Sequence, residues 1–347
     1  MRNYQQVFIE TTRLRTAFYR IGENNPKKLL VLHGNLSSSV FFMPLAPYLE
    51  EEGFDIVVPD LRCFGFSQTL PIDATRGYRD WSDDIYSLCE ALGWKEFTLL
   101  GWSMGGNIAM QFTIDHRAMV KELVLVAPGS PYGFGGTRDE KGTPYSPVGL
   151  GSGGGCANPM LVMSGQMWDK TFFWNLMQKY LFKPPFRLSP EWEQRFTNAA
   201  SRVQVGSDYY PGSYRLTWKW PYIVAGDRGV LNTMSPQYGN LSEFLQIDPK
   251  PPVLWIRGDD DQIVSDTSMM EIGYLGKIGM IPGWPGESTY PPQPMIRQTK
   301  HFFELYRQQG GECVELVIPG GHVCILESPV HFINAMKTFL DMGKKKR

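Results

Sequence analysis

"FTLLGWSMGGNIAMQF", residues 97–112, decides how the chain is read. Residues 97–100 are a short apolar run of strand length, and an apolar, helix-like stretch starts near Gly105. Between them lies Gly101-Trp102-Ser103-Met104-Gly105, a G-x-S-x-G pattern. With 36 glycines in the chain, such a pattern arises readily by chance. Its placement carries more information than its letters. A sharp turn from a buried strand into a helix holds a serine on a strained elbow with its hydroxyl exposed. Small flanking residues let the two backbones approach each other. The plainer reading, an incidental serine in a glycine-rich turn, does not account for a strand before it and a helix after it.

Outward from this segment the same alternation recurs. Apolar runs of strand length occupy 29–32, 56–58 and 123–126, and again 253–256 and 314–318. Runs this short and this apolar suit strands buried on both faces of a parallel sheet. Residues 7–21 alternate instead, as two half-buried strands do. Between the runs, 78–92 places Trp81, Ile85, Leu88 and Leu92 on one helix face, and Gly93 ends it. A last helix is expected over 329–342. The count is eight strands, mostly parallel and flanked by helices, in an α/β fold.

The alternation stops at Pro128 and resumes at 251. Residues 1–128 and 251–347 therefore read as one core, and 129–250 as an insertion far longer than a connecting loop. Its first part, 133–158, is rich in Gly and Pro. Its middle reads as helical, with Trp168, Phe172, Leu176 and Tyr180 at every fourth position, and Ser189-Pro190-Glu191 reads as the start of a second helix. A large, mainly helical cap is the expectation. Part of its aromatic content must pack on itself, and part is available to wall an apolar pocket.

Composition excludes several classes. The net charge is −1 with both signs interspersed, which leaves no footprint for nucleic acid or an anionic membrane. The basic end, Lys344-Lys345-Lys346-Arg347, reads as a solvated tail. Five cysteines without paired spacing read as free thiols of a reducing compartment. The first twenty residues lack the apolar core of a signal peptide, and no apolar run approaches the roughly 20 residues of a membrane span. A cytoplasmic protein is the expectation. Nothing in the sequence fixes an oligomeric state.

A serine needs a general base to become a nucleophile. His116, His301 and His331 fall in helical, partly charged stretches, and His33 ends a strand. His322 lies in a glycine-flanked loop, Pro319-Gly320-Gly321-His322, after the last strand. In a parallel sheet that loop emerges on the same side as the elbow serine. Carboxylates gather at Asp259-Asp260-Asp261, where Asp259 reads as a turn former and Asp260 as a solvated residue.

Several segments together resemble the serine α/β-hydrolase superfamily, in the form of a capped esterase or lactonase. His33-Gly34 resembles its oxyanion-loop motif, and residues 60–67 resemble D-x-R-G-x-G-x-S, with Cys63 in place of a glycine. Residues 101–106 resemble the nucleophile elbow and 258–264 the G-x-x-D-x-x-V acid segment. Gly321-His322 with Glu327-Ser328-Pro329 resembles the histidine loop. The order Ser, Asp, His is the family's. The segment between 128 and 251 matches no motif of it.

The resemblance implies a role for each residue. Ser103 attacks a carbonyl, His322 carries its proton, and Asp261 orients the imidazole. Backbone N–H groups of Met104 and Asn35 hold the oxyanion. Asp261 has the family's spacing for the acid, and the other frequent family position offers Ala127-Pro128-Gly129-Ser130 without a carboxylate. Leu36, Trp102, Trp168, Phe172 and Trp284 are expected to line the substrate pocket, Trp284 from a proline-stiffened loop at 281–294. No metal and no organic cofactor is implied, and the partner is a small-molecule substrate.

The expected reaction is cleavage of a carboxylic ester, lactone or thioester through an acyl-enzyme. Cofactor-free perhydrolysis of the haloperoxidase type and C–C bond hydrolysis use the same three groups. A non-catalytic small-ligand receptor on this fold is the alternative of another class. Two decoys are weaker. Residues 149–154 fit G-x-G-x-x-G but lack a flanking strand and helix. "HGNLSSS" resembles haloalkane dehalogenases, which attack with an aspartate where this chain has Ser103; an epoxide hydrolase is disfavoured on the same ground.

Overall fold

Short apolar runs form the centre of one sheet. The structure, a computed structural model, describes residues 4–145, 159–167 and 169–345. The chain opens with β1 (Gln6–Glu10) and β2 (Arg15–Ile21). It continues through β3 (Lys27–Leu32), α1 (Ala46–Glu51), β4 (Phe54–Pro59), α2 (Arg79–Leu92), β5 (Phe97–Trp102), α3 (Met104–Asp115) and β6 (Val120–Val126). The following segment holds α4 (Pro159–Met167), α5 (Lys170–Leu181) and α6 (Pro190–Ala200). It also holds the short strands β7 (Val205–Gly206), β8 (Tyr210–Pro211), β9 (Tyr214–Leu216) and β10 (Ile223–Ala225), then α7 (Val230–Thr233). The alternation resumes with β11 (Val253–Gly258), α8 (Ile272–Lys277), α9 (Met295–Gln308), β12 (Cys313–Ile318), α10 (Cys324–Glu327) and α11 (Pro329–Lys345).

The main sheet has eight strands in the order β1-β2-β4-β3-β5-β6-β11-β12. β1 and β2 join it antiparallel, and every pairing from β4 to β12 is parallel. All residues of β4 and β5 are buried, as strands covered on both faces must be. The edges, β1 and β12, carry exposed positions. On one face α2 buries Trp81, Ile85 and Leu88, and Gly93 in the left-handed region closes the helix by donating to Cys89 and Glu90 carbonyls.

The strand order reverses at β3, which lies between β4 and β5. Chains leaving β3 and β5 turn to opposite faces, and the crevice between them lies at the carboxyl edge of the sheet. The loop carrying His33 to Leu36 and the turn carrying Ser103 both lie there. The loop after β4 is fixed beside them by a buried bidentate pair, Arg62 Nε to Asp84 Oδ2 at 2.7 Å and Nη2 to Oδ1 at 2.6 Å. Cys63 has φ 73° at the position where the resemblance expects glycine, so a left-handed backbone is required there whatever the side chain.

The elbow depends on two backbones in contact. A Cβ at Gly105 would lie 2.4 Å from the Leu32 carbonyl oxygen and 2.5 Å from that of His33; one at Gly101 would lie 2.2 Å from the Gly105 oxygen. These obstacles are main-chain atoms of buried elements, which cannot move aside singly. Gly105→Ala is therefore expected to lower stability by about 1–3 kcal/mol, the usual range for an overpacked interior. The measurement is the urea midpoint, and an unchanged midpoint with unchanged slope would show that α3 can lift off the sheet freely.

Candidate active site

Ser103 sits between β5 and α3 with φ 56° and ψ −128°. A side chain in that region is strained by about 1–3 kcal/mol and persists only if its surroundings hold it. Its N–H donates to the Val126 carbonyl at 2.9 Å, and its carbonyl accepts from Gly106 N at 2.8 Å. Gly34 abuts it, since a Cβ there would fall 2.9 Å from Ser103 Cβ. Met104 is the first residue of α3, so its N–H belongs to the helix-end donors that have no intrahelical acceptor.

Residues far apart in sequence meet at this turn. Ser103 Oγ lies 2.8 Å from His322 Nε2, and His322 Nδ1 lies 2.9 Å from Asp261 Oδ2. The other Asp261 oxygen accepts from Ile263 N at 2.8 Å and Val264 N at 2.9 Å. One oxygen is thus held by its own loop while the second faces the imidazole. Asp261 and His322 are buried. Trp102 Nε1 donates to the His322 carbonyl at 2.9 Å, which ties the end of β5 to the histidine loop.

The other two aspartates of the run do different work. Asp259 accepts from Gly320 N at 3.0 Å and pairs with Lys183 Nζ at 2.9 Å. Those two contacts, Gly320 first, hold its carboxyl below the ordinary carboxylate range. Asp260 is bonded to Gln262 Nε2 at its own loop. Glu327 accepts from Gly321 N at 2.7 Å and Lys183 N at 2.8 Å, and Val323 N donates to the Leu181 carbonyl. The histidine loop is thereby bound to residues 181–183, just past α5.

His33 organises the loop after β3. Its Nε2 accepts from Leu61 N at 2.9 Å and its Nδ1 donates to the Gly34 carbonyl at 2.8 Å, a pattern only the neutral ring satisfies. Burial lowers its pKa to about 4, against opposing effects of Asp60 and the Gly34 carbonyl.

Beside Ser103 lies a cavity of about 250 Å³. Asn35, Leu36, Trp102, Met104 and His322 line it, together with Ile263, Val264 and Met270. The segment between β6 and β11 adds Phe134, Met177, Leu181, Tyr210, Leu231 and Met234. Tyr210 is buried, and its phenol is pushed up to about 12 by burial, an effect the Asn35 side chain opposes by hydrogen bonding. None of these contributions from 129–250 was expected at the level of single residues; they are methionine, leucine and aromatic side chains without a motif.

Trp284 does not line this cavity, contrary to the expectation from its proline-rich loop. Its Nε1 donates to the Tyr290 carbonyl at 2.9 Å, and its ring packs with Trp220 and Tyr290 in a separate aromatic cluster. Pro282 offers its carbonyl to Trp220 Nε1, so the loop folds onto β9–β10 and its neighbours instead of over Ser103. Trp168 lies outside the described residues, as does the side chain of Phe172.

Comparison with known proteins concerns the fold. Residues 27–273 match the family model of the alpha/beta hydrolase fold. A serine hydrolase-like protein of Danio rerio is 33% identical over 113 residues, 33% of this chain and 33% of that protein. A pimeloyl-[acyl-carrier protein] methyl ester esterase of Legionella pneumophila is 31% identical over 107 residues, covering 31% of this chain and 39% of the esterase. The chain thus matches only about a third of the length of these curated relatives. Among solved structures, a thermophilic esterase from Thermogutta terrifontis superposes with TM-score 0.56 at 19% identity, over 98% of this chain and 99% of that one. The chain belongs to the α/β-hydrolase fold family.

The state of His33 gives a pH test. Its folded pKa, about 4, lies below the ordinary 6.5. Between those values the unfolded chain takes up a proton that the folded chain refuses, so this contribution to stability is full above about pH 6.5 and is lost as pH falls toward 4. Urea midpoints are expected to fall over that window more steeply for the wild type than for His33→Gln. Parallel slopes would show that the ring is not buried in its neutral form.

Proposed function

We propose that the protein is a serine hydrolase that cleaves the ester bond of a small, largely apolar carboxylic ester, lactone or thioester through an acyl-enzyme. The observation that carries this reading is the row Ser103 Oγ, His322 Nε2, His322 Nδ1, Asp261 Oδ2, with spacings of 2.8 and 2.9 Å, opening on an apolar cavity. In this reading His322 takes the Ser103 proton as the hydroxyl attacks the carbonyl, then delivers it to the leaving group. Asp261 keeps the imidazole in the tautomer that accepts at Nε2 and stabilises the charged ring. The N–H groups of Met104 and Asn35 receive the developing oxyanion, each worth about 3 kcal/mol in the transition state.

The cavity supports a small substrate. Its volume of about 250 Å³ is below the roughly 300–1,000 Å³ of most small-molecule sites, and methionine and leucine supply seven of its 20 lining residues. Short or medium acyl groups fit that space. Residues 129–250 act as the cap, because Met177, Leu181, Tyr210, Leu231 and Met234 close the cavity from above the sheet edge. The esterase named among the relatives agrees with ester chemistry.

Two measurements test the assignment. Ser103→Ala should fold as the wild type does and reduce kcat on p-nitrophenyl esters by about 10⁴-fold or more, since the three groups act as a unit. A serine-directed phosphonate should label Ser103 alone; labelling at another serine, or wild-type turnover by the variant, overturns the reading. Asp261→Asn should cost up to about 10⁴-fold in kcat through the wrong imidazole tautomer, while Asp260→Asn should leave both kcat and the melting temperature near wild type. Equal losses from the two would remove Asp261 from its role.

A further inference from the structure

A second and larger cleft, about 870 Å³, shares no lining residue with the cavity beside Ser103. One wall is α6 and the residues just past it. Arg195 and Asn198 stand at i and i+3 on one face of α6, and Arg202 lies two residues past its end. Lys170, at the start of α5, joins them by donating to Asn198 Oδ1 at 3.1 Å. The opposite wall is the outer edge of the sheet and the loop after β3, with Gln6, Tyr19 and Ser38. Tyr19 on β2 and Arg195 on α6 thus line the same cleft from its two walls.

Among the described residues, no carboxylate lines this cleft. Asp60 lies behind its core wall with both oxygens engaged, by Gln6 Nε2 at 2.7 Å and Phe66 N at 2.8 Å on one and by Ser39 on the other. Arg195 has an exposed i−4 partner, Glu191, at 3.0 Å, a contact that contributes little and yields readily. Neither Lys170 nor Arg202 has an ion-pair partner among the described residues. The Arg202 guanidinium lies over the Phe66 ring, 3.8 Å from its centroid, which orients it while leaving its N–H edge available.

Three cations around one polar, concave space repel each other unless an anion joins them, and two guanidinium groups offer the paired donors that phosphate oxygens accept. We propose that this cleft binds a phosphate-bearing small molecule, held between α6 and the β1–β2 edge. Its volume is that of a small-molecule site. Such a ligand contacts both walls at once, so it binds the folded chain alone and stabilises it by mass action. The site is independent of Ser103.

The test is a thermal-melt titration with pyrophosphate, at ionic strength held constant with potassium chloride. It is run on the wild type, Ser103→Ala and the double variant Arg195→Gln/Arg202→Gln. Both arginines are at the surface, and a melt of the double variant in potassium chloride alone checks its fold. A saturable rise in Tm is expected for the wild type and for Ser103→Ala, with apparent affinity at least about tenfold weaker in the double variant. No rise beyond the potassium chloride control, an equal response from the double variant, or a response that vanishes in Ser103→Ala each overturns the proposal.

Discussion

The contact on which the rest of the site depends is that of α3 with the carboxyl ends of β3 and β5. Glycine at 101 and 105 lets main chain touch main chain, and no side chain fits between. That approach forces the turn at Ser103 into φ 56°, and the bond from its N–H to Val126 holds it there. The helix start then points at the crevice where the strand order reverses. Strain, orientation and the helix-end donors come from one packing decision.

A second constraint acts on the histidine. His322 sits in a loop with little structure of its own, so its position comes from neighbours. Asp259 and Glu327 accept from the N–H groups of Gly320 and Gly321, and Trp102 donates to the His322 carbonyl. Both acidic residues also engage Lys183, one through the ammonium and one through its backbone. The end of α5 is therefore mechanically part of the histidine loop. A shift of the inserted segment is felt at the imidazole through these bonds, not only through the cavity wall it supplies.

The same segment meets the core at two places of opposite character. Toward Ser103 it contributes methionine, leucine and a buried tyrosine, and toward the β1–β2 edge it contributes Lys170, Arg195 and Arg202. Between the two surfaces Phe41 stacks on Phe196 at 4.0 Å and on Trp102 at 5.7 Å. An aromatic layer thus joins the basic face of α6 to the strand that ends at the elbow serine.

Much of the core was legible in the chain because its elements are locally encoded. Doubly buried strands must be short apolar runs, a helix with one buried face must repeat every three or four residues, and glycine must stand where backbones touch. The elbow at Ser103 and the spacing of Asp261 and His322 rest on such rules and on family resemblance. The inserted segment was legible only as helices, Ser189 and Pro190 opening one of them. Trp284 shows the limit: an aromatic residue in a proline-rich loop states that it will be buried, not against what. Its partners, Trp220 and Tyr290, were chosen by how 281–294 folds back on β9–β10. Likewise Met177, Tyr210, Leu231 and Met234 carry no signal that marks them as cavity walls. The sequence by itself determined the α/β core and the candidate reacting groups, since periodicity and turn chemistry are properties of neighbouring residues. Tertiary structure alone decided what surrounds those groups, because contacts between distant segments depend on where each segment crosses the sheet edge.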